Sequence, residues 1–431
     1  MTGDVGYGRP PLESRFQKGR SPTFGFAQFD FPGVLVLPDG RYLSRTELQL
    51  KTDPRGTSTP NDYANSQSEQ VGLHGEQRFG EVTLAADAGQ RRKTSRYFFD
   101  FGFGFNSRQD TEVTVNSLSP RLHWSTTLAG MANRLTAGVD WSEWSYGNDT
   151  LSGFGNRDES GRQHNRAIYV RDELALTAST RLTAGLRRER VEQEQKEVLT
   201  PIPKADSARN LTASELALQQ QLGGGWSAYG RLGRSFRVAN IDENRCFFPP
   251  CAPLLKPQTS QDREIGLQWR AGKAAFRASL FDIDLKNELH YNAITFTNMN
   301  LQPTQRRGLE LEGTAPLGDA LELRARYAWT DARFRDGSYG GFDVSGNQVP
   351  LVPRQRAGLS LGWKIAAPTR LTFSLSHVGE QRYDNDQRNL FRRMPAYSVA
   401  DIKLSHQAGN WRLAAGINNL FDKAYYSYAI V

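Results

Sequence analysis

Leu255-Lys256-Pro257-Gln258-Thr259-Ser260, followed by Glu264-Ile265-Gly266-Leu267-Gln268-Trp269, is the stretch on which the reading of this chain turns. Ile265, Leu267 and Trp269 alternate with Glu264, Gly266 and Gln268. A period of two belongs to a β-strand whose faces differ. The same alternation returns downstream. Leu309 and Leu311 alternate with Glu310 and Glu312, and Leu323, Ala325 and Tyr327 with Arg324 and Arg326. Leu361 and Trp363 alternate with Ser360 and Lys364, and Leu371 and Phe373 with Thr372 and Ser374. One face must meet lipid or an apolar core; the other, with its charges, must be wet. Leu309, Leu311, Leu323, Leu361, Trp363 and Phe373 are therefore assigned to the apolar face, and Glu310, Glu312, Arg324 and Lys364 to the wet one.

Composition narrows the choice. The chain has 431 residues, 38% of them hydrophobic and 11% aromatic, with a net charge of +8. It holds no apolar run long enough for a transmembrane helix. A transmembrane barrel needs only one apolar residue in two and bonds its backbone between strands, so it escapes hydropathy scans. Lys and Arg are spread along the chain rather than clustered, which argues against nucleic acid as a partner. Anionic lipopolysaccharide or an anionic ligand suits the charge better. The start, Met1-Thr2-Gly3-Asp4-Val5, has neither the basic nor the apolar region of a signal peptide, and the sequence is expected to begin inside a longer protein.

Turns and loops keep a strict order. Short turns are expected at 129–133, 178–180, 223–225, 271–273, 318–319, 366–369 and 408–410. Long loops are expected near 147–163, 193–210, 236–258, 288–303, 331–353 and 381–395. Short and long connections alternate in outer-membrane barrels, with the short ones on the periplasmic rim. The count is fourteen strands from 121 to 424, two more near 68–77 and 81–93, and a weaker one near 21–30, or about 16 or 17. Trp226, Trp269, Trp363 and Trp411 lie near short turns, and Trp141, Trp144 and Trp329 toward long loops, as two interface belts would place them. Plain strand propensity is the alternative.

Just upstream of the opening stretch lie Ser235-Phe236-Arg237 and Asn240-Ile241-Asp242-Glu243. Downstream come Arg306-Arg307-Gly308-Leu309-Glu310-Leu311-Glu312 and Asn418-Asn419-Leu420-Phe421-Asp422-Lys423 with Tyr425. In this order the segments resemble the signatures of TonB-dependent outer-membrane receptors. The resemblance rests chiefly on Phe236, Arg237, Leu255, Lys256, Pro257, Thr259, Ser260, Glu264, Gly266, Asn419, Leu420, Phe421 and Asp422, and covers roughly residues 21–428. It implies an all-β fold, an antiparallel up-and-down transmembrane β-barrel, with 1–20 an irregular N-terminal segment and 21–431 a partial barrel. Receptor barrels have about 22 strands around a plugged lumen. The resemblance therefore implies an incomplete set of strands, without the plug, the N-terminal energy-coupling box or the closing strand.

Two features suggest where a ligand would sit. In Tyr97-Phe98-Phe99-Asp100-Phe101-Gly102-Phe103-Gly104-Phe105 the alternate phenylalanines share one side of an extended chain, just after the basic Arg91-Arg92-Lys93. Arg91, Arg92, Tyr97, Phe99, Phe101 and Phe103 are the candidate ligand contacts, an aromatic surface at the top of a hairpin. An interface belt or lipid-facing strand is the alternative. Cys246 and Cys251 flank Phe-Phe-Pro-Pro and read as a small extracellular disulfide, against the alternative of two free thiols. Thiol alkylation and mass spectrometry of oxidised protein should find both blocked until reductant is added; two alkylatable thiols in oxidised material refute the pairing.

Other chemistry is weak. Glu310 and Glu312 share the wet face, where lumen charge explains them better than a glycosidase pair. His164 and His290 sit at loop margins, where a haem receptor could place an iron ligand, but ordinary surface histidine is the simpler reading. No catalytic set, metal site or cofactor motif stands out. The resemblance implies a receptor for a scarce ligand such as a ferric siderophore, haem or cobalamin. Extracellular loops would bind the ligand, and the periplasmic protein TonB would supply energy through a plug. A chain without that plug is not expected to support energised uptake alone. A passive porin is the alternative.

Overall fold

The computed structural model describes residues 59–102, 105–153, 155–197, 204–244, 254–292, 297–425 and 427–431. Its strands are β1 (Tyr63–Phe79), β2 (Val82–Gly102), β3 (Phe105–Leu128), β4 (Met131–Ser152), β5 (Arg157–Ala175), β6 (Thr180–Glu197), β7 (Ala205–Gly223), β8 (Trp226–Arg237), β9 (Gln258–Ala271) and β10 (Ala274–Lys286). There follow β11 (Leu289–Asn292), β12 (Thr297–Asn300), β13 (Thr304–Leu317), β14 (Leu321–Phe334), β15 (Ser338–Tyr339), β16 (Phe342–Asp343), β17 (Gln355–Ala366), β18 (Thr369–Val378), β19 (Tyr397–Ala408) and β20 (Trp411–Ile417). Sixteen of them make one antiparallel up-and-down sheet in chain order, from β1 to β20. The pairs β11–β12 and β15–β16 are small hairpins within two of the long connections. The expected count holds. The candidate strand at 21–30, the segment 1–20, and Cys246 and Cys251 lie outside the described residues.

Register shows why the alternation predicts the fold. Leu280 stands opposite Ile265 on one side and Leu309 on the other, and Leu309 stands opposite Trp329. One residue along, Ser279 stands between Gly266 and Glu310. Apolar and polar rows thus alternate across the sheet, so each face is continuous over many strands. Ile265 and Leu280 are 61% and 52% exposed, whereas Ser279 is 3% exposed. The apolar rows cover the outer, lipid-facing wall and the polar rows the enclosed inner one. Leu361, between Leu323 and Phe373, belongs to an outer row, and Ser360, between Arg324 and Ser374, to an inner row. Charges on the inner wall pair with one another: Asp87 with Arg121, Asp140 with Arg187, Arg231 with Asp262, Arg277 with Glu264.

The short turns all lie on one rim, as expected, and Gly80–Glu81 adds another between β1 and β2. Glycines at φ of 57° in the β9–β10 and β19–β20 turns take the left-handed backbone that these tight reversals need.

Two expected loops are corrected. Most of 147–163 and of 193–210 is strand, because β4 runs to Ser152, β5 starts at Arg157, β6 runs to Glu197 and β7 starts at Ala205. Beyond the lipid both faces meet water, so apolar alternation stops while backbone pairing continues. The tryptophan belts also need one change. Trp226 and Trp269 stand opposite each other near the short-turn rim with ring centroids 6.1 Å apart, as a belt requires. Trp144, however, lies in register with Val115 and Gln163 on the inner wall, so it is not an interface residue.

Candidate functional site

The mouth of the sheet, opposite the short turns, is where the chain invests its irregular backbone. After β8 the chain turns inward. Asp242–Asn244 form a single 3-10 turn, and Glu243 closes it. The Glu243 carboxylate accepts the Asn240 backbone N–H at 2.8 Å and pairs with Arg237 at 2.5 Å. Asn244 donates to the Asn240 carbonyl at 3.0 Å and accepts from Leu255 N–H at 2.8 Å. An acidic residue at the start of a helical turn satisfies donors that would otherwise be orphaned. The Arg237, Asn240 and Glu243 spacing is therefore a self-closing turn.

That turn brings Ala239 and Ile241 across to the inner wall of β5 and β6, where both are buried. Gln193 donates to the Ala239 carbonyl at 2.7 Å and to the Gln163 side chain at 2.9 Å. Ile241 packs on Gly161, where any Cβ would overlap the isoleucine side chain. Gly161→Val should weaken this docking by about 1–3 kcal/mol, the usual cost of overpacking. Limited proteolysis should then cut the β8–β9 connection faster, whereas Gly147→Val, whose Cβ position is open, should not change the pattern. Equal protection in both variants would show that the segment is not held by this notch.

The Leu255–Ser260 signature is the second anchor. The Asn300 side chain bonds both backbone groups of Lys256, each at 2.9 Å, and also the Asn287 carbonyl at 2.9 Å. Asn287 donates to the Pro257 carbonyl at 3.3 Å, and Gln258 accepts from Leu289 N–H at 3.2 Å. Ser235 and Ser260 share a hydroxyl–hydroxyl bond of 2.6 Å. Lower on the same wall, Glu264 accepts from the Tyr229 hydroxyl and from Arg277. Gly266 leaves space for the Tyr229 ring. The signature residues thus build the mouth and its wall. Asn298, Asn300 and Gln193, their partners across the loops, carry no sequence signal beyond being amides.

A third group joins the β10–β13 and β18–β19 connections. His290 lies 2.9 Å from Asn385 and 3.0 Å from Gln387. Tyr428 donates to Asp384 at 2.6 Å, and Ile430 makes a parallel bridge to Asp384. Residues 427–431 therefore fold into this loop group. Burial first, then the Asp384 contact, raises the Tyr428 hydroxyl pKa. Burial also raises the Asp386 carboxyl, against the backbone N–H groups of Leu390 and Phe391. Before this tail, Asn419 and Asp422 take φ of 52° and 48°. Asn419 bonds both ways to Lys423, so the Asn-Leu-Phe-Asp stretch forms a turn after β20.

The candidate ligand residues divide between faces. Arg91, Tyr97 and Phe99 share the inner parity of Ser95 on β2, and the Tyr97 and Phe99 rings stack at 6.2 Å. Arg92 has the opposite parity and pairs with Glu112 at 2.8 Å. Phe101 lies on the same strand, and Phe103 lies outside the described residues. The inner wall beside Tyr97 and Phe99 is polar. Tyr97 faces Gln109, which faces Thr150, and Asn148 bonds Thr111, Thr150 and Glu159.

A family model for the TonB-dependent receptor-like β-barrel matches residues 6–420. The chain belongs to the TonB-dependent receptor β-barrel family. Its sheet is thus that of an outer-membrane barrel. Among curated proteins, a ferrioxamine receptor of Yersinia enterocolitica is 26% identical over 182 residues, 40% of this chain and 25% of the relative. A ferrioxamine B receptor of Salmonella typhimurium is 23% identical over 279 residues, 62% of this chain and 38% of the relative. This TonB-dependent barrel therefore spans well under half the length of these two relatives. The crystal structure of the siderophore receptor PiuA from Acinetobacter baumannii superposes with a TM-score of 0.73 at 17% identity, over 86% of this chain and 62% of that one. That likeness is one of fold.

Proposed function

We propose that this chain is the barrel of an outer-membrane receptor for a ferric siderophore, and that it takes no part in enzymatic chemistry. Family membership and the names of its relatives, two of them ferrioxamine receptors, support this reading. The observation that carries it is the upper inner wall. There the amide and hydroxyl groups of Gln109, Thr111, Asn148 and Thr150 sit beside the stacked Tyr97 and Phe99. An oxygen-rich iron chelate has a compact polar core, and such a wall meets it with the half-buried polar side chains of Gln109 and Thr111 and with flat apolar rings. Haem or cobalamin is the alternative cargo.

In this reading Arg91 lies on the inner wall beside the path of the ligand, and Arg92, facing outward, does not contact it. The barrel works with a plug and with the periplasmic TonB protein, which drives release into the periplasm. The test is growth of a receptor-deficient strain on ferrioxamine B as sole iron source, with and without TonB. The full-length protein that contains this barrel should restore growth only when TonB is present. Replacing Tyr97 and Phe99 together by Ala should weaken chelate binding roughly tenfold, from ~0.5–1.5 kcal/mol per aromatic contact. Growth independent of TonB, with a steady conductance in planar bilayers, would support a passive porin instead.

A further inference from the structure

Three long connections meet at the mouth, and their two joints differ in kind. Leu301 of the β10–β13 connection packs with Ala332 and Phe334 at the end of β14 and with Val344 and Val349 beyond it, all buried. The backbone at this joint is paired: Val349 N–H bonds the Ala332 carbonyl at 3.0 Å, and Arg335 N–H the Pro303 carbonyl at 2.8 Å. Apolar burial holds these two connections together.

The seam between the β14–β17 and β18–β19 connections is polar. Gln348 and Asn389 exchange two bonds of 2.9 Å, Asn347 donates to the Gln387 carbonyl at 3.0 Å, and Leu351 N–H to the Arg382 carbonyl at 3.1 Å. Closing this seam carries three costs. Leu351 takes φ of 59°, a left-handed backbone that its Cβ disfavours, and Asn385 and Asn389 take 62° and 58°. Arg382 Nε, Asn385 Nδ2 and Gln387 Oε1 are buried without a hydrogen-bond partner. Such an atom keeps the full penalty of leaving water. Last, His290 Nε2 lies 2.9 Å from Asn385 Oδ1 and 3.0 Å from Gln387 Nε2. One ring nitrogen cannot donate to the first while it accepts from the second.

Residues 427–431 offset these costs. They pair with Asp384 as a parallel strand would: Asp384 N–H bonds the Ala429 carbonyl at 2.9 Å, and Val431 N–H the Asp384 carbonyl at 3.1 Å. Tyr428 adds its hydroxyl bond to Asp384, and Gln381 donates to the Ser427 carbonyl at 3.2 Å. Ile430 and Met394 are 2% and 1% exposed. The seam is therefore balanced. Opening it relieves strain and hydrates buried polar atoms; closing it buries Ile430 and completes the pairing at Asp384. Stored strain and unpaired groups of this kind mark segments that open locally.

We propose that this seam is a latch. The β18–β19 connection swings away from the β14–β17 connection as a unit, with Tyr428 and Ile430 as its pin, and its opening sets how fast a ligand passes the mouth. In the open arrangement Leu351 regains ordinary backbone, and the Arg382, Asn385 and Gln387 side chains meet water. The apolar joint keeps the other two connections together throughout. The effect on ligand entry rests on the receptor reading; the latch itself does not.

The test is hydrogen exchange of the full-length protein in lipid vesicles, read by mass spectrometry over residues 382–391. Ile430→Ser should speed exchange there about tenfold, and Leu351→Gly, which accepts the left-handed backbone, should slow it about tenfold. Tyr428→Phe keeps the packed ring and covers the case in which Ile430→Ser misfolds; it should speed exchange by a smaller factor. Exchange at 332–334, in the apolar joint, should match wild type in every variant. Unchanged exchange over 382–391 in both pin variants overturns the latch, and so does faster exchange in Leu351→Gly. Equal acceleration at 332–334 also overturns it, because the connections would then open together. Stopped-flow binding of ferrioxamine B separates the two levels. Tyr428→Phe and Ile430→Ser should raise the association rate, and unchanged association with binding intact overturns the role in ligand entry. No binding by any form refutes the receptor reading and leaves the exchange result to decide the latch.

Discussion

Phe373→Arg is expected to lower the folding free energy by ~2–4 kcal/mol, the cost of an arginine at the lipid midplane of a barrel. Its neighbour Ser374→Arg is expected to be nearly neutral. Phe373 lies between Leu361 and Ile402 in an outer row, whereas Ser374 lies between Ser360 and Asp401 in an inner row. An arginine at 374 meets water and the Asp401 carboxylate; one at 373 meets hydrocarbon. Urea titration of both variants refolded into lipid vesicles measures the difference. Equal costs at the two adjacent positions would contradict the assignment of faces.

Gly266→Val should destabilise the inner wall by about 1–3 kcal/mol. A Cβ at 266 would overlap the Tyr229 ring. The ring has little freedom to retreat, because its hydroxyl donates to Glu264 and accepts from Arg277 at 2.7 Å. Combining Gly266→Val with Tyr229→Ala should recover part of the loss, since the second change empties the contested space. A thermal unfolding series of the two single variants and the double variant measures this coupling. Additive losses would mean that ring and glycine do not compete.

Much of this was legible in the sequence, for a reason that also marks the limit. Leu309 and Glu310 have opposite neighbours because lipid and water lie on opposite sides of the sheet, so the membrane writes a period of two into each strand. Where the strands rise above the lipid that contrast disappears. The upper halves of β4 to β7, with polar residues on both faces, accordingly read as loops at 147–163 and 193–210 although they are paired strand. Trp144 was misplaced for the same reason: near the mouth an aromatic residue no longer implies a lipid interface.

The site was legible in its anchors. Arg237, Glu243, Lys256 and Glu264 stood out through resemblance, and the structure gives each a bond that shapes the mouth or wall. Their partners were not legible. The Ile241 contact with Gly161 and the Asn300 clamp on Lys256 join residues far apart in the chain, and a glycine or an asparagine in isolation does not announce what it will touch. The basic run before the aromatic segment likewise concealed that Arg91 and Arg92 face opposite sides.

The most direct test of the receptor reading is an equilibrium titration of the full-length protein in lipid vesicles with ferrioxamine B and with its iron-free form. The account predicts saturable binding of the ferric chelate at micromolar concentration or below, weak binding of the iron-free form, and a loss in the Tyr97→Ala, Phe99→Ala double variant. No saturable binding, or equal binding of both forms that the double variant leaves unchanged, would contradict it.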